Sequence, residues 1–153
     1  MAEAQSNFTP PNPIERAFGR LLVFLIRMGV VRGHYYVLEV RGRKTGKIFA
    51  LPVDPLDLDG QRYLICPRGE SAWVKNLRAA GELTLVRALR RTRYSVTEIA
   101  ANERAPILKT YLDRFSAEVQ RFFPVPKGSP VEAFNALAPR YPVFRLDQAP
   151  SRN

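Results

Sequence analysis

The sequence predicts a small antiparallel β-barrel with covering helices, a mainly β, α+β fold. Three observations carry that expectation. Short alternating stretches recur along the chain and are joined by tight turns. Helical patterns sit at the two ends, with one short helix inserted between the strands. The 153 residues make one domain's worth of chain, and 46% hydrophobic with 25% charged residues is enough apolar mass for one core. A curled antiparallel sheet is the natural solution, because closure removes exposed edges.

The elements follow in order. Residues 1–12 are polar and proline-bearing and read as a flexible N-terminal arm. An amphipathic helix is expected over 13–29, with Pro13 in its first turn. Ile14, Ala17, Phe18, Leu21, Leu22 and Leu25 recur at helical spacing, while Glu15, Arg16, Gly19, Arg20 and Arg27 lie away from that stripe. Two roles are open to the stripe: packing on the domain core, which is favoured, or lying on a membrane surface.

A strand is predicted over 34–41, then a tight connection from Arg41 to Lys47, then a strand over 48–56. Asp59-Gly60 is a hairpin signal and precedes a strand over 62–66. Pro67-Arg68-Gly69 ends it. Ser71 is placed to cap a short helix reaching Ala80, with Gly81 as its stop. Strands over 82–88 and 90–99 come next. A long helix over 103–123 buries Ile107, Leu108, Tyr111, Leu112, Phe115, Val119 and Phe122, and carries Lys109–Asp113 and Arg114–Glu118 as i,i+4 pairs. Ser129-Pro130-Val131-Glu132 reads as a capping box opening a short helix to Ala138. A last strand covers 141–146, the single domain runs over 13–148, and 149–153 is a polar tail.

Composition narrows the function. One cysteine, Cys66, and one histidine, His34, exclude a disulfide framework and a Cys/His metal cluster, so no metal is expected. No nucleophile-elbow sequence accompanies His34. Neither a signal-peptide pattern nor a run of about 20 apolar residues is present, so the expected location is the cytoplasm, with peripheral membrane association left open.

The net charge is +10, from 24 Lys and Arg against 14 Asp and Glu. Such a balance suits an anionic partner as well as a merely soluble surface. Between residues 41 and 93 there are twelve basic and five acidic residues, and twelve minus five is +7, so most of the excess is concentrated there. No nucleic-acid motif appears and aromatics are not interleaved with arginines on one continuous face, so no nucleic-acid partner is expected.

Two segments exceed what a barrel needs. Gly42-Arg43-Lys44-Thr45-Gly46-Lys47 combines glycines, which let backbone amides approach a ligand, with cations that bind phosphate. It lacks the spacing and following helix of a Walker A loop. The segment from Cys66 to Arg78 holds the one tryptophan. Trp73 and Asn76 share a helix face there, and Arg68 and Gly69 precede a helix N-terminus, which carries partial positive charge.

Together with Leu51-Pro52, Trp73-Val74-Lys75-Asn76-Leu77-Arg78-Ala79-Ala80-Gly81 and Tyr141-Pro142-Val143-Phe144-Arg145-Leu146, these segments resemble the deazaflavin-dependent nitroreductase family, over about residues 34–146. That family belongs to the split-barrel flavin and deazaflavin oxidoreductases. The resemblance implies a split β-barrel of the FMN-binding type and coenzyme F420, a polyanionic deazaflavin, as cofactor, with FMN as the alternative. It implies hydride transfer to a quinone, an enone or a nitroaromatic, that is, an apolar small-molecule acceptor. The second possibility is a protein that binds F420 or another anionic cofactor with little or no turnover.

By resemblance, Arg43, Lys44, Thr45 and Gly46 hold the phosphate and tail. Leu51 and Pro52 line the ring. Cys66, Pro67, Arg68 and Gly69 form the loop over it, and Ala72, Trp73 and Asn76 contact the cofactor from the helix. The sequence departs from the family at Phe49, where Arg is common, and at Pro67, where a Ser can stand near the ring. No catalytic residue is assigned.

Overall fold

The computed structural model describes residues 9–31 and 33–150. Residues 1–8, most of the expected arm, and 151–153 of the expected tail lie outside the described residues. The first helix, α1, spans Pro13–Arg27 and opens with a capping box: the Asn12 side chain accepts from Glu15 N–H, and Glu15 accepts from Asn12 N–H. Strand β1 (Tyr36–Arg41) turns through residues 42–47 into β2 (Ile48–Val53). The turn favours glycine at Gly46, whose φ of 72° is left-handed, while at Gly42 a Cβ would lie 2.6 Å from the exposed Phe49 ring and push it aside.

The expected strand over 48–56 is broken at Asp54-Pro55, since Pro55 has no N–H to give a ladder. A separate β3 (Leu56–Leu58) pairs with β4 (Gln61–Ile65) across the Asp59-Gly60 turn. Helix α2 (Ala72–Ala80) stops at Gly81, whose φ of 70° only glycine adopts freely. Strands β5 (Glu82–Arg87), β6 (Arg90–Glu98) and β7 (Val143–Gln148) complete one sheet.

The sheet order is β2-β1-β5-β6-β7-β4-β3, antiparallel throughout. Its two edge strands, β2 and β3, are consecutive in sequence. Only Asp54 and Pro55 separate them, a span of no more than about 11 Å, so the sheet has to curl until its edges meet. Leu38, Leu64, Leu77, Leu85, Phe144 and Leu146 fill the inside of the curl.

On the outer side, α3 (Ala105–Val119) packs Leu108, Leu112 and Phe115 against Leu56, Ile65 and Val143. The single helix expected over 103–123 breaks at Phe115 (φ −112°, ψ 27°) and ends in a 3-10 turn, Gln120–Phe122. The stripe from Ile107 to Val119 is buried as expected, and Lys109 pairs with Asp113 at 2.9 Å. Arg114 instead donates to Asp57 C=O, and Glu118 faces His34.

The expected helix after Ser129 is two 3-10 turns, Val131–Phe134 and Ala138–Arg140. The Ser129 hydroxyl donates to Pro126 C=O rather than capping, and fully buried Phe134 with Leu137 and Ala138 pins the segment to α3.

The largest departure is the orientation of α1. Its C-terminal part is anchored by Val23 and Ile26 against Val37 and Val86. Of the predicted apolar stripe, Leu22 packs beside that anchor, but Ile14 is 80% exposed, Phe18 63% and Leu21 55%, and Phe24 at 59% and Met28 at 53% lie exposed with them. The opposite face, with Glu15, Arg16, Gly19 and Arg20, turns inward over a cavity. The helix packs at one end on two β-branched residues. Its other end is tied by ion pairs, Glu15 to Arg68 at 3.4 Å and to Arg121 at 2.8 Å.

Candidate cofactor and acceptor site

Between α1, β2 and the N-terminus of α2 lies a cavity of about 930 Å³. That is at the upper end of the range for small-molecule sites. Strand β2 supplies Phe49, Ala50, Leu51 and Pro52. The start of α2 and the preceding loop supply Arg68, Ser71, Ala72 and Trp73. Helix α1 and its approach supply Pro11, Glu15, Arg16, Gly19, Arg20, Val23 and Arg27.

Of the residues singled out in the sequence, Leu51, Pro52, Arg68, Ala72 and Trp73 therefore meet in one cavity. The others are not part of its lining. Arg43 docks on α2: its backbone N–H and its Nη1 both donate to Asn76 Oδ1, at 3.2 and 2.6 Å, and Nη1 reaches Ala72 C=O at 3.5 Å. Asn76 is buried (3% exposed) and spends its carbonyl oxygen on Arg43. Its place is to hold the β1–β2 turn against α2. Lys44, Thr45 and Gly46 form the exposed tip of that turn, where Thr45 Oγ1 accepts from Lys47 N–H at 3.3 Å.

Cys66 and Gly69 lie under the loop. Cys66 Sγ is 3.4 Å from Ser71 Oγ, Gly69 N–H donates to Cys66 C=O, and Ser71 N–H to Gly69 C=O. Burial pushes the Cys66 thiol up to about 11, against a weaker lowering by Ser71, so at neutral pH it is a protonated filler, not a nucleophile. Pro67 is half-buried in the same turn. Arg78 clamps the loop from α2, bidentate to Glu70 at 2.6 and 2.8 Å and to Glu98 at 2.8 and 2.7 Å. The guanidinium of Arg78 holds the Glu70 carboxyl below its usual range.

Four arginines, Arg16, Arg20, Arg27 and Arg68, and one carboxylate, Glu15, line the cavity. Arg27 leans on the buried Glu39 at 3.4 Å, but Glu39 is already held bidentately by Arg91 at 2.9 Å. That Arg91 hydrogen bond is the main reason its pKa is lowered. Glu15 is also held low, first by the Asn12 N–H and then by Arg121. The α1 residues were missed in the sequence. Their signal was present as Arg16, Gly19, Arg20, Val23 and Arg27 on one helical face, opposite the stripe that was expected to pack.

No family model matches this chain, and no curated protein does. Solved structures do. A NimC/NimA family protein from Clostridium acetobutylicum is 8% identical, with 92% of this chain and 84% of that one covered and a TM-score of 0.52. An FAD-binding protein from Mesorhizobium loti is 11% identical, covering 85% and 89%, with a TM-score of 0.51. An F420-H2 dependent reductase is 16% identical over 74% and 94%, but at a TM-score of 0.49 it adds nothing to the fold assignment. The likeness establishes the expected α+β split-barrel fold.

Proposed function

We propose that the protein is a deazaflavin-dependent oxidoreductase that takes F420 as its cofactor. The observation that supports this most is the cavity itself. An apolar floor of Leu51 and Pro52 and an aromatic edge at Trp73 suit a planar ring, and the arginine rim suits a polyanion. Lys44, Thr45 and Gly46, with Arg43 fixed beside them by Asn76, would hold the phosphate and tail at the β1–β2 turn. Cys66, Pro67, Arg68 and Gly69 would shape the loop against the ring, with Ala72 and Trp73 beside it. When bound, the deazaflavin supplies hydride. The chain's task is to orient the ring and the acceptor and to keep water out beneath α1.

Titration with oxidised F420, followed by Trp73 fluorescence with FMN in parallel, tests the reading. Micromolar binding of F420 in preference to FMN is expected, with Lys44→Ala weakening it about tenfold, the value of one lost charge-assisted contact. Preference for FMN would overturn the deazaflavin reading. Pro67 offers the ring neither a hydroxyl nor an N–H, and this favours the second reading, cofactor binding with little or no turnover. Oxidation of reduced F420 by menadione separates the two.

The proposed acceptors are apolar, and the outward stripe of α1 supports a peripheral membrane contact through residues 13–29. No helix among the described residues is long and apolar enough to cross a membrane. Sedimentation with phosphatidylcholine–phosphatidylglycerol vesicles is expected to carry the protein down. Replacing Phe18 and Phe24 by Ser should cut the bound fraction about tenfold or more, since each ring contributes roughly 2 kcal/mol. Equal sedimentation of both proteins would remove the membrane role.

A further inference from the structure

We infer that α1 carries a second anion subsite, built from Arg16, Arg20 and Arg27 around Gly19, which binds a carboxylate, sulfonate or phosphate across the cavity from the β1–β2 turn. The inference deepens the reading above and rests on it only for the identity of the ring ligand. Arg16 and Arg20 line the cavity and have no carboxylate within ion-pair distance among the described residues. Arg27 shares its one partner, Glu39, with the closer Arg91. Like charges gathered on one wall of a cavity repel each other, and an anion placed between them relieves that repulsion.

Gly19 is the second, independent observation. It sits inside a fifteen-residue helix, where glycine is unfavourable relative to alanine. Neither a tight contact nor a left-handed backbone calls for it: a Cβ built there meets nothing within 4 Å, and the space it would enter is the cavity. The missing side chain leaves the helix spine open to a ligand between Arg16 and Arg20. In contrast to the turn tip at Lys44, this subsite lies over the apolar floor, so it recognises an anionic group attached close to a ring.

The test uses two probes with the same rings, 8-anilinonaphthalene-1-sulfonate and its neutral analogue N-phenyl-1-naphthylamine, followed by fluorescence on the full chain. The sulfonate is expected to bind at least about tenfold tighter than the neutral probe. Arg16→Gln with Arg20→Gln should cut that preference at least about threefold, by weakening the sulfonate more than the neutral probe. Gly19→Leu should block the sulfonate while raising Tm by about 2 °C through helix propensity, so loss of binding cannot be loss of folding. An unchanged preference in the double variant would overturn the inference, as would full sulfonate binding by Gly19→Leu.

The source of the anion is read with F420 and its phosphate-free riboside, and with a sulfonated naphthoquinone against menadione. If the double variant lowers the F420-to-riboside affinity ratio, the anion is the cofactor's own. If it lowers only the preference for the sulfonated quinone, the anion belongs to the acceptor. Failure of F420 to bind the unaltered chain, with sulfonate selectivity intact, would sink the deazaflavin reading and leave the subsite standing.

Discussion

Arg104→Met is expected to destabilise the fold by about 2–4 kcal/mol, because buried carbonyls lose their donor while Glu98 keeps its pairing with Arg78. The side chain is 9% exposed and reaches four places at once. Nε donates to Ile99 C=O at 2.8 Å, Nη1 to Ala138 C=O at 3.1 Å and to Tyr141 C=O at 3.3 Å, and Nη2 to Glu98 at 3.4 Å. It thus ties the end of β6, the start of α3 and the 3-10 segment before β7 into one block. Methionine fills the space, leaves the Ile99 and Tyr141 carbonyls without the Arg104 donor, and leaves Ala138 C=O with only the Tyr141 N–H.

The effect should extend to the candidate site. Cys66 N–H donates to Pro142 C=O, one residue beyond a carbonyl that Arg104 holds, so the loop from Cys66 to Gly69 hangs from the same block. Urea denaturation measures the loss, and Arg93→Met is the control. The Arg93–Glu82 pair is exposed on both sides, and surface pairs contribute roughly 0–1 kcal/mol. A loss below about 1 kcal/mol at Arg104 would mean that its hydrogen bonds are readily replaced by water.

The elements that were legible in the sequence are those whose cause is local. Asp59-Gly60 makes its hairpin, Gly81 ends α2 through a left-handed φ, and the strand expected over 90–99 is β6. What was not legible depends on distant partners. The pattern of α1 shows which face is apolar, but which face packs is decided by where the helix crosses β2. Val23 and Ile26, outside the predicted stripe, find Val37 and Val86, with Leu22 of the stripe packed beside them, while Ile14, Phe18 and Leu21 stay exposed.

The break of α3 at Phe115 is of the same kind. Its ring lies 4.8 Å from that of His34, a neighbour about eighty residues away in sequence. The site divides along the same line. Leu51, Pro52, Arg68, Ala72 and Trp73 follow from their motifs, while Arg16, Gly19, Arg20 and Arg27 join them only because α1 lies across β2.

Asp54→Asn should raise stability at alkaline pH and change it little at pH 4. Asp54 follows β2 at the break before β3, and burial raises its pKa to about 6. His34 Nε2 lies 3.2 Å from Oδ1 and opposes the rise, and Glu118, 3.7 Å from the same imidazole, adds to it. The imidazole is held between the rings of Tyr35 and Phe115. His34 Nε2 and Asp54 Oδ1 are not aligned to hydrogen bond, and neither atom has a hydrogen-bond partner among the described residues. Burial first, and then the Asp54 charge, push the phenols of Tyr35, before β1, and of Tyr111, on α3, upward.

The sign follows from proton binding. The folded pKa of about 6 lies above the ordinary 3.8, so the native state binds more protons between these values. Stability therefore falls as pH rises through that window, and above it the full cost of a buried carboxylate is present. About two pH units at 1.36 kcal/mol each bounds that cost near 3 kcal/mol. Wild-type stability alone would not reveal it. Glu39, Asp57, Glu70 and Asp113 have lowered pKa values, and their ion pairs are lost as pH falls, which tilts the profile the other way. The difference between wild type and Asp54→Asn cancels those terms. That difference should open from near zero at pH 4 to about 1–3 kcal/mol in favour of the variant at pH 8. A difference that stays flat across this range would place the Asp54 carboxylate in contact with water that pays for its charge.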